Sequence, residues 1–205
     1  MAFQGVGTGF NVAVTGSAAV SAVWEQKSPY LRCVSSGSTI THVAISTYPT
    51  AAATDTVISS QQPEIISLGQ VITQNISTCT IPALGAANVG IATLTVPEGM
   101  GSQFIVGNIL NLSVAQGTGS TDAQAYYNLT NLYVSAVNTR RVNVPDMFQD
   151  QIEVTGNFTE SQGAGIATAL FSENKLTARK AFRVGTIGGT AQGKLFCQQV
   201  QITGG

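Results

Sequence analysis

The chain has 205 residues, a formal net charge of −1 and 43% hydrophobic residues, but only 9% of its residues are charged. About a quarter of the residues are charged in an ordinary soluble domain. The small, mixed charge argues against a nucleic-acid partner, and the ordinary hydrophobic content argues against a disordered chain. No apolar run reaches the roughly 18 residues of a membrane helix, and the first residues lack the basic and apolar regions of a signal peptide, so no membrane partner is expected.

The first ten residues, MAFQGVGTGF, predict a flexible N-terminal arm over residues 1–10. Their GVGTG stretch lacks the G-x-G-x-x-G spacing, the preceding strand and the following helix of a dinucleotide-binding loop. Phe3 and Phe10 are the candidate assembly contacts, because aromatic side chains on such an arm would fill a groove of a neighbouring subunit.

Residues 11–98 predict a first β-sandwich module. Its segments combine Val, Ile and Thr with Gly, Pro, Ser or Asn at their ends, and they recur every eight to fifteen residues or so, which is typical of antiparallel strands. In GIATLTV, for example, Ala92, Leu94 and Val96 are expected on one face of a strand and Ile91, Thr93 and Thr95 on the other. The predicted strands are 11–16, 18–24, 30–35, 39–46, 63–69, 70–77 and 90–96.

The Pro/Gly-rich stretch PEGMGSQ at 97–103 is the candidate boundary, and residues 104–205 predict a second β module or the continuation of one large sandwich. Within it, residues 163–178 have the apolar spacing of one short helix. The predicted fold class is therefore mainly β, an antiparallel sandwich or jelly roll with at most one short helix.

His42 is the only histidine, and it shares one face of an alternating strand with Ile40 and Ala44. A Ser-His-Asp or Cys-His arrangement would have to use it, yet no G-x-S-x-G elbow supports one. A zinc site needs three or four grouped ligands, which one histidine without a C-x-x-C motif does not offer. We therefore interpret His42 as a strand residue and predict neither a metal nor another cofactor.

Asp146, Asp150 and Glu153 form the densest acidic group, in VPDMFQDQIEV. A glycosidase needs two carboxylates across a cleft, but any chain with ten acidic residues contains such pairs. Pro145 and Asp146 favour a turn that leads into a strand. The sequence therefore predicts that the protein is not an enzyme and has no catalytic residue.

The cysteines at 33, 79 and 197 are odd in number and far apart, so the sequence predicts no disulfide framework and favours synthesis in a reducing compartment. The shortage of charge has a second consequence. A free monomer with so neutral a surface would tend to associate. The sequence therefore favours a surface covered by identical or neighbouring subunits over the alternative, a neutral Thr/Ser-rich β protein that tolerates the low charge.

In residues 10–100, FNVAVTGSAAVSAV leads to YLRCVSSGSTITHVAIS, then to ATDTVISSQQPEIISLG and IATLTVPEGMG. This order of features resembles small virion modules of tailed bacteriophages. More weakly, NTRRVNVPDMFQDQIEVTGNF and GKLFCQQVQITGG, in residues 126–205, are similar to tail-tube subunits. The resemblance implies a non-enzymatic virion protein made in the host bacterial cytoplasm, and it carries over no catalytic residue.

Among virion roles, the resemblance favours that of a capsid decoration, or cement, protein. Such a protein would form a homo-oligomer, a trimer on a threefold site, and bind the major capsid protein. A tail-tube or head–tail neck subunit is the alternative and would form hexameric rings. A third reading is a carbohydrate- or receptor-binding virion domain, which needs an exposed aromatic platform. The available aromatic residues are Trp24, Tyr30, Tyr48, Tyr126, Tyr127 and Tyr133.

Overall fold

The structure, a computed structural model, describes residues 2–37, 40–81, 89–114, 128–138, 149–158, 167–170, 176–189 and 193–203. Antiparallel strands dominate these residues, which confirms the predicted mainly-β fold, and the one helix among them is a 3-10 turn at Met100–Gln103. The strands are β1 (Ala2–Val14), β2 (Ala19–Val20), β3 (Trp24–Glu25), β4 (Tyr30–Ser35), β5 (Thr41–Ser46), β6 (Thr56–Ile58), β7 (Pro63–Ser67), β8 (Thr73–Asn75), β9 (Thr78–Ile81), β10 (Val89–Pro97), β11 (Ile109–Val114), β12 (Leu132–Asn138), β13 (Gln149–Asn157), β14 (Ala167–Leu170), β15 (Leu176–Gly188) and β16 (Gly193–Thr203).

The chain forms two compact units. Unit 1 comprises Met1–Val71 and Phe182–Gly205, and unit 2 comprises Ile72–Ala181. The Pro/Gly-rich stretch at 97–103 therefore lies inside unit 2, where it connects β10 to β11 through the 3-10 turn. Composition predicts a boundary at this stretch, whereas pairing between strands that are distant in sequence defines the two units.

Unit 1 is a sandwich of two sheets. One sheet has the strand order β1–β16–β4–β7, and the other pairs β6 with β5 and β5 with the second half of β15. Alternate residues of both sheets point inward, as the pleat of a strand requires. The buried core of unit 1 contains Phe10, Val12, Val14, Leu31, Cys33, Val43, Ile58, Phe182, Val184, Leu195 and Cys197.

Residues 2–10 belong to this sandwich and not to a separate arm, and Met1 lies outside the described residues. Strand β1 pairs with β16 from Ala2↔Thr203 to Val14↔Gly193, with a bulge between Val6 and Phe10. Gly7 lies in the bulge with a φ of 72°, a left-handed conformation that glycine adopts without steric cost. The local sequence predicts a flexible arm because it does not reveal the pairing strand, which is almost two hundred residues away.

Unit 2 contains strands in the order β14–β9–β10–β13–β12–β11, followed by the first half of β15, which also pairs with β8. The predicted alternation of β10 holds for Ala92, Leu94 and Val96, which are buried, and for Ile91, which is exposed, whereas Thr95 is also buried. The core of unit 2 includes Ile76, Cys79, Leu94, Leu110, Leu132, Ile152, Phe158 and Leu176.

The predicted helix at 163–178 is wrong for the residues that the structure describes. Residues 167–170 form β14, which pairs with β9, and residues 176–178 begin β15, which pairs with β11. Residues 163–166 and 171–175 lie outside the described part. The apolar spacing of a short segment is a weak signal, and pairing with distant strands overrides it.

Candidate assembly surface on the four-stranded sheet

The outer face of the β1–β16–β4–β7 sheet carries apolar side chains across three of its strands. Phe196 of β16 lies directly opposite Val34 of β4, and Ile65 of β7 lies opposite Arg32 in the neighbouring row. Phe196 is 48% exposed and Ile65 is 37% exposed. Apolar residues of this size on an open face indicate a surface that another molecule can cover.

A groove of about 280 Å³ crosses this outer face. Its polar residues are Asn11, Arg32 and Gln198, of which Arg32 and Gln198 are opposite each other, and Arg32 is its one charged residue. The lining residues are Gly9, Phe10, Asn11, Arg32, Val34, Phe196, Cys197 and Gln198.

A second apolar pair extends the surface towards the start of β1. Phe3 and Ile202 are directly opposite each other on β1 and β16, and they are 45% and 41% exposed. Directly opposed side chains on paired strands lie on the same face and contact one another. This pair is the most exposed apolar cross-strand contact between β1 and β16.

The two edges of the sheet differ in a way that matters for association. Strand β7 has five residues, begins with Pro63 and carries Glu64, and proline and charge are both features that prevent an edge from pairing with another chain. Strand β1 has thirteen residues, with neither proline nor a charged side chain. Among the described residues, β16 is the one strand that pairs with residues 3–6.

The second half of β1 is less open than the first. The hydroxyl group of Thr186 donates a hydrogen bond to the carbonyl of Ala13 at 2.6 Å, and the amide of Gly188 donates to the carbonyl of Thr15. Among the described residues, no such hydrogen bond reaches residues 3–6, so the open part of the edge includes this stretch, next to the Phe3–Ile202 pair.

Only one of the two predicted contact residues is exposed. Phe10 is buried in the core of unit 1, where its ring stacks on Trp24 with a centroid distance of 4.4 Å and an interplanar angle of 15°. Phe182 lies against the same ring with a centroid distance of 6.4 Å. Phe10 is thus a core residue, while Phe3 lies at the surface.

His42 lies on β5, between the buried residues Thr41 and Val43, with its side chain on the opposite face. Its Nδ1 atom is buried and receives no hydrogen bond from the residues that the structure describes. The cross-strand neighbours of His42 are Val57 and Ile187. An acid or nucleophile that would act with His42 is therefore not provided by these neighbours.

The residues of the predicted acidic group, Asp146, Asp150 and Glu153, do not share one environment. Asp150 is 2% exposed on β13, and its Oδ2 accepts a hydrogen bond from the amide of Gly101 at 2.9 Å. Glu153 is half-buried three residues further along the same strand. Asp146 lies outside the described residues. Through this hydrogen bond, Asp150 stabilises the Met100–Gln103 turn.

The aromatic residues proposed for carbohydrate binding are dispersed. Tyr48 is 66% exposed and has Arg183 over its ring at 5.6 Å, whereas Trp24 is stacked against Phe10. The hydroxyl group of Tyr133 donates a hydrogen bond to Asn131, and Tyr30 is half-buried on β4. Tyr126 and Tyr127 lie outside the described residues.

In the described part of the chain, no cluster of three or more His, Cys, Asp or Glu residues could hold a metal ion. No helix within that part is long and apolar enough to cross a membrane. No protein-family model, curated protein or solved structure matches the chain. The surface is therefore interpreted from its own geometry.

Proposed function

We propose that this protein is a repetitive structural subunit of a bacteriophage virion and that it binds its neighbours through the β1–β16–β4–β7 sheet. The role we favour is that of a capsid decoration protein. The single observation that carries the proposal is the contrast between the edges of this sheet. Strand β1 offers thirteen residues without charge or proline, while β7 has the features of a protected edge.

The chemistry of the surface supports association. Covering Asn, Gln, Thr and Gly residues costs less desolvation free energy than covering charged groups. Residues 3–6 are Phe, Gln, Gly and Val, and they leave backbone groups on one side for a strand from another copy. Phe3, Ile202 and Phe196 would then supply apolar area beside the new strand pair.

The first test is the oligomeric state. Phe3→Lys places a charge beside the open edge, with Ile105→Lys as the matched control, because Ile105 is exposed and lies in unit 2. We expect analytical ultracentrifugation to find a concentration-dependent oligomer for the wild type and for Ile105→Lys. Phe3→Lys should raise the dissociation constant by about tenfold or more, since like charges across an interface oppose association.

The second test locates the protein. Negative-stain images of the purified chain should show trimers for a decoration protein or stacked six-membered rings for the tail-tube alternative. A density map of the virion should then contain this fold in regular copies. A wild-type chain that stays monomeric at all concentrations and is missing from such maps would contradict the proposal.

A further inference from the structure

Two of the three cysteines, distant in sequence, face each other inside unit 1. Cys33 on β4 lies directly opposite Cys197 on β16, and their Sγ atoms are 3.5 Å apart. Both side chains are buried, and both are free thiols in this structure. Their separation along the chain is 164 residues, which is why the sequence pattern does not reveal the pair.

The geometry suits a covalent bond between them. Directly opposite residues in antiparallel strands have Cα atoms about 4.5–5.5 Å apart. Disulfides join cysteines whose Cα atoms are about 4.4–6.8 Å apart, so β4 and β16 already hold Cys33 and Cys197 at a bonding distance. Closing the remaining gap between the sulfur atoms requires side-chain rotation and no change of strand register.

We propose that Cys33 and Cys197 form a cross-strand disulfide that locks β16 to β4 when the protein meets an oxidising environment. A low-molecular-weight disulfide, such as oxidised glutathione, is the oxidant. One cysteine thiolate attacks it, forms a mixed disulfide and releases one glutathione thiol. The second cysteine thiolate then attacks the protein sulfur of the mixed disulfide and releases the second glutathione. Together the two cysteines lose two electrons and two protons, and the two glutathione thiols that are released gain these electrons and protons.

Burial controls when the bond can form. The thiolate is the reactive form of cysteine. The hydrogen bond with Cys33 and burial both raise the pKa of the Cys197 thiol, which keeps that thiol protonated in the folded protein. The exchange is therefore expected to be slow in the folded protein and fast while unit 1 is still folding. Cys33 and Cys197 both lie in unit 1, and a bond between them does not depend on a virion role.

The test is refolding of the full chain in a buffer of oxidised and reduced glutathione, followed by alkylation and peptide mapping by mass spectrometry. We expect a single disulfide between Cys33 and Cys197, and a decrease in free thiols from three to one, with Cys79 remaining alkylated. Cys79→Ala is the matched control, since it removes the third buried cysteine and should leave the Cys33–Cys197 bond intact. A folded wild-type chain with three free thiols, or with Cys79 in the bond, would overturn the proposal.

A second readout does not depend on variants that must fold. The oxidised wild-type protein should melt about 5–15 °C above the same sample after reduction with dithiothreitol, because the bond closes a long loop of the unfolded chain. An unchanged or lower melting temperature would show that the bond distorts the sheet, contrary to the proposal.

Discussion

The carboxylate of Asp150 on β13 and the backbone amide of Gly101 in the 3-10 turn are joined by a buried hydrogen bond of 2.9 Å. A Cβ atom at position 101 would lie 2.7 Å from the Cβ atom of Asp150, so glycine is the residue that allows this approach. The pair fixes the connection between β10 and β11 in unit 2.

Replacing Asp150 by Ala should lower the free energy of unfolding by about 2–4 kcal/mol, because the amide of Gly101 would stay buried without an acceptor. Urea denaturation measures the loss. Asp55→Ala is the control, since Asp55 accepts a hydrogen bond of the same kind, from the amide of Ala52, at an exposed site. Its cost should stay below about 1 kcal/mol, and equal losses for the two variants would contradict the structural role of Asp150.

Phe10 and Phe3 lie on the same strand but should respond differently to truncation. Phe10→Ala removes a ring stacked on Trp24 in the core and should cost about 3–5 kcal/mol of stability. Phe3→Ala, at an exposed position, should change stability by less than about 0.5 kcal/mol. Thermal denaturation of both variants separates core from surface, and a large loss for Phe3→Ala would show that its ring is packed within the monomer.

Gly185 on β15 lies against the backbone of Pro49. A Cβ atom at position 185 would come within 2.7 Å of the Pro49 carbonyl oxygen. We expect Gly185→Ala to lower the free energy of unfolding by about 1–3 kcal/mol, because a strand or a loop must shift. Gly16→Ala has no atom within 4 Å of its new Cβ, so calorimetry should find it unchanged or stabilised by up to about 1 kcal/mol.

The Cys79 thiol gives unit 2 a dependence on alkaline pH. Burial raises its pKa from 9.0 to about 12, so the folded protein retains a proton that the unfolded chain loses. This contribution to stability is complete below pH 9 and is lost as the pH rises towards 12. Through Cys79 alone, the free energy of unfolding should fall by about 1.4 kcal/mol per pH unit in that window.

Urea titrations between pH 8 and 11 measure this slope, and Cys79→Ala supplies the comparison. The variant loses some stability at every pH because of the cavity, but its slope should be shallower by about one proton. Parallel slopes for the two proteins would show that Cys79 does not titrate as its burial implies.

The parts of the fold that could be predicted from the sequence are those whose pattern is local. The alternation in GIATLTV correctly places Ala92, Leu94 and Val96 in the core and Ile91 at the surface of β10, because it follows from the pleat of one strand, although Thr95 is buried as well. The helix predicted at 163–178 and the arm predicted at 1–10 are wrong for the described residues. Each of these segments takes its conformation from a distant partner strand, which a local pattern does not reveal.

The candidate site shows the same limit. Phe3 and Phe10 are equivalent in the sequence, and only the bulge between Val6 and Phe10, together with the stack on Trp24, separates the exposed ring from the buried one. The pairing of Cys33 with Cys197 depends on β4 and β16 being neighbours, and no spacing rule links residues 164 positions apart. His42, in contrast, is correctly placed on an alternating strand by its immediate neighbours.

The place of β16 between β1 and β4 sets an order for events during synthesis. Unit 2 is one continuous stretch, so all of its strands have been translated before residue 193 is added. The sheet that contains β1 and β4 must wait, with its central position vacant and the Cys33 side unprotected, until residues 193–203 emerge. Nascent chains are thus exposed to premature contact with one another for most of translation, and the closing insertion of β16 ends that vulnerable period.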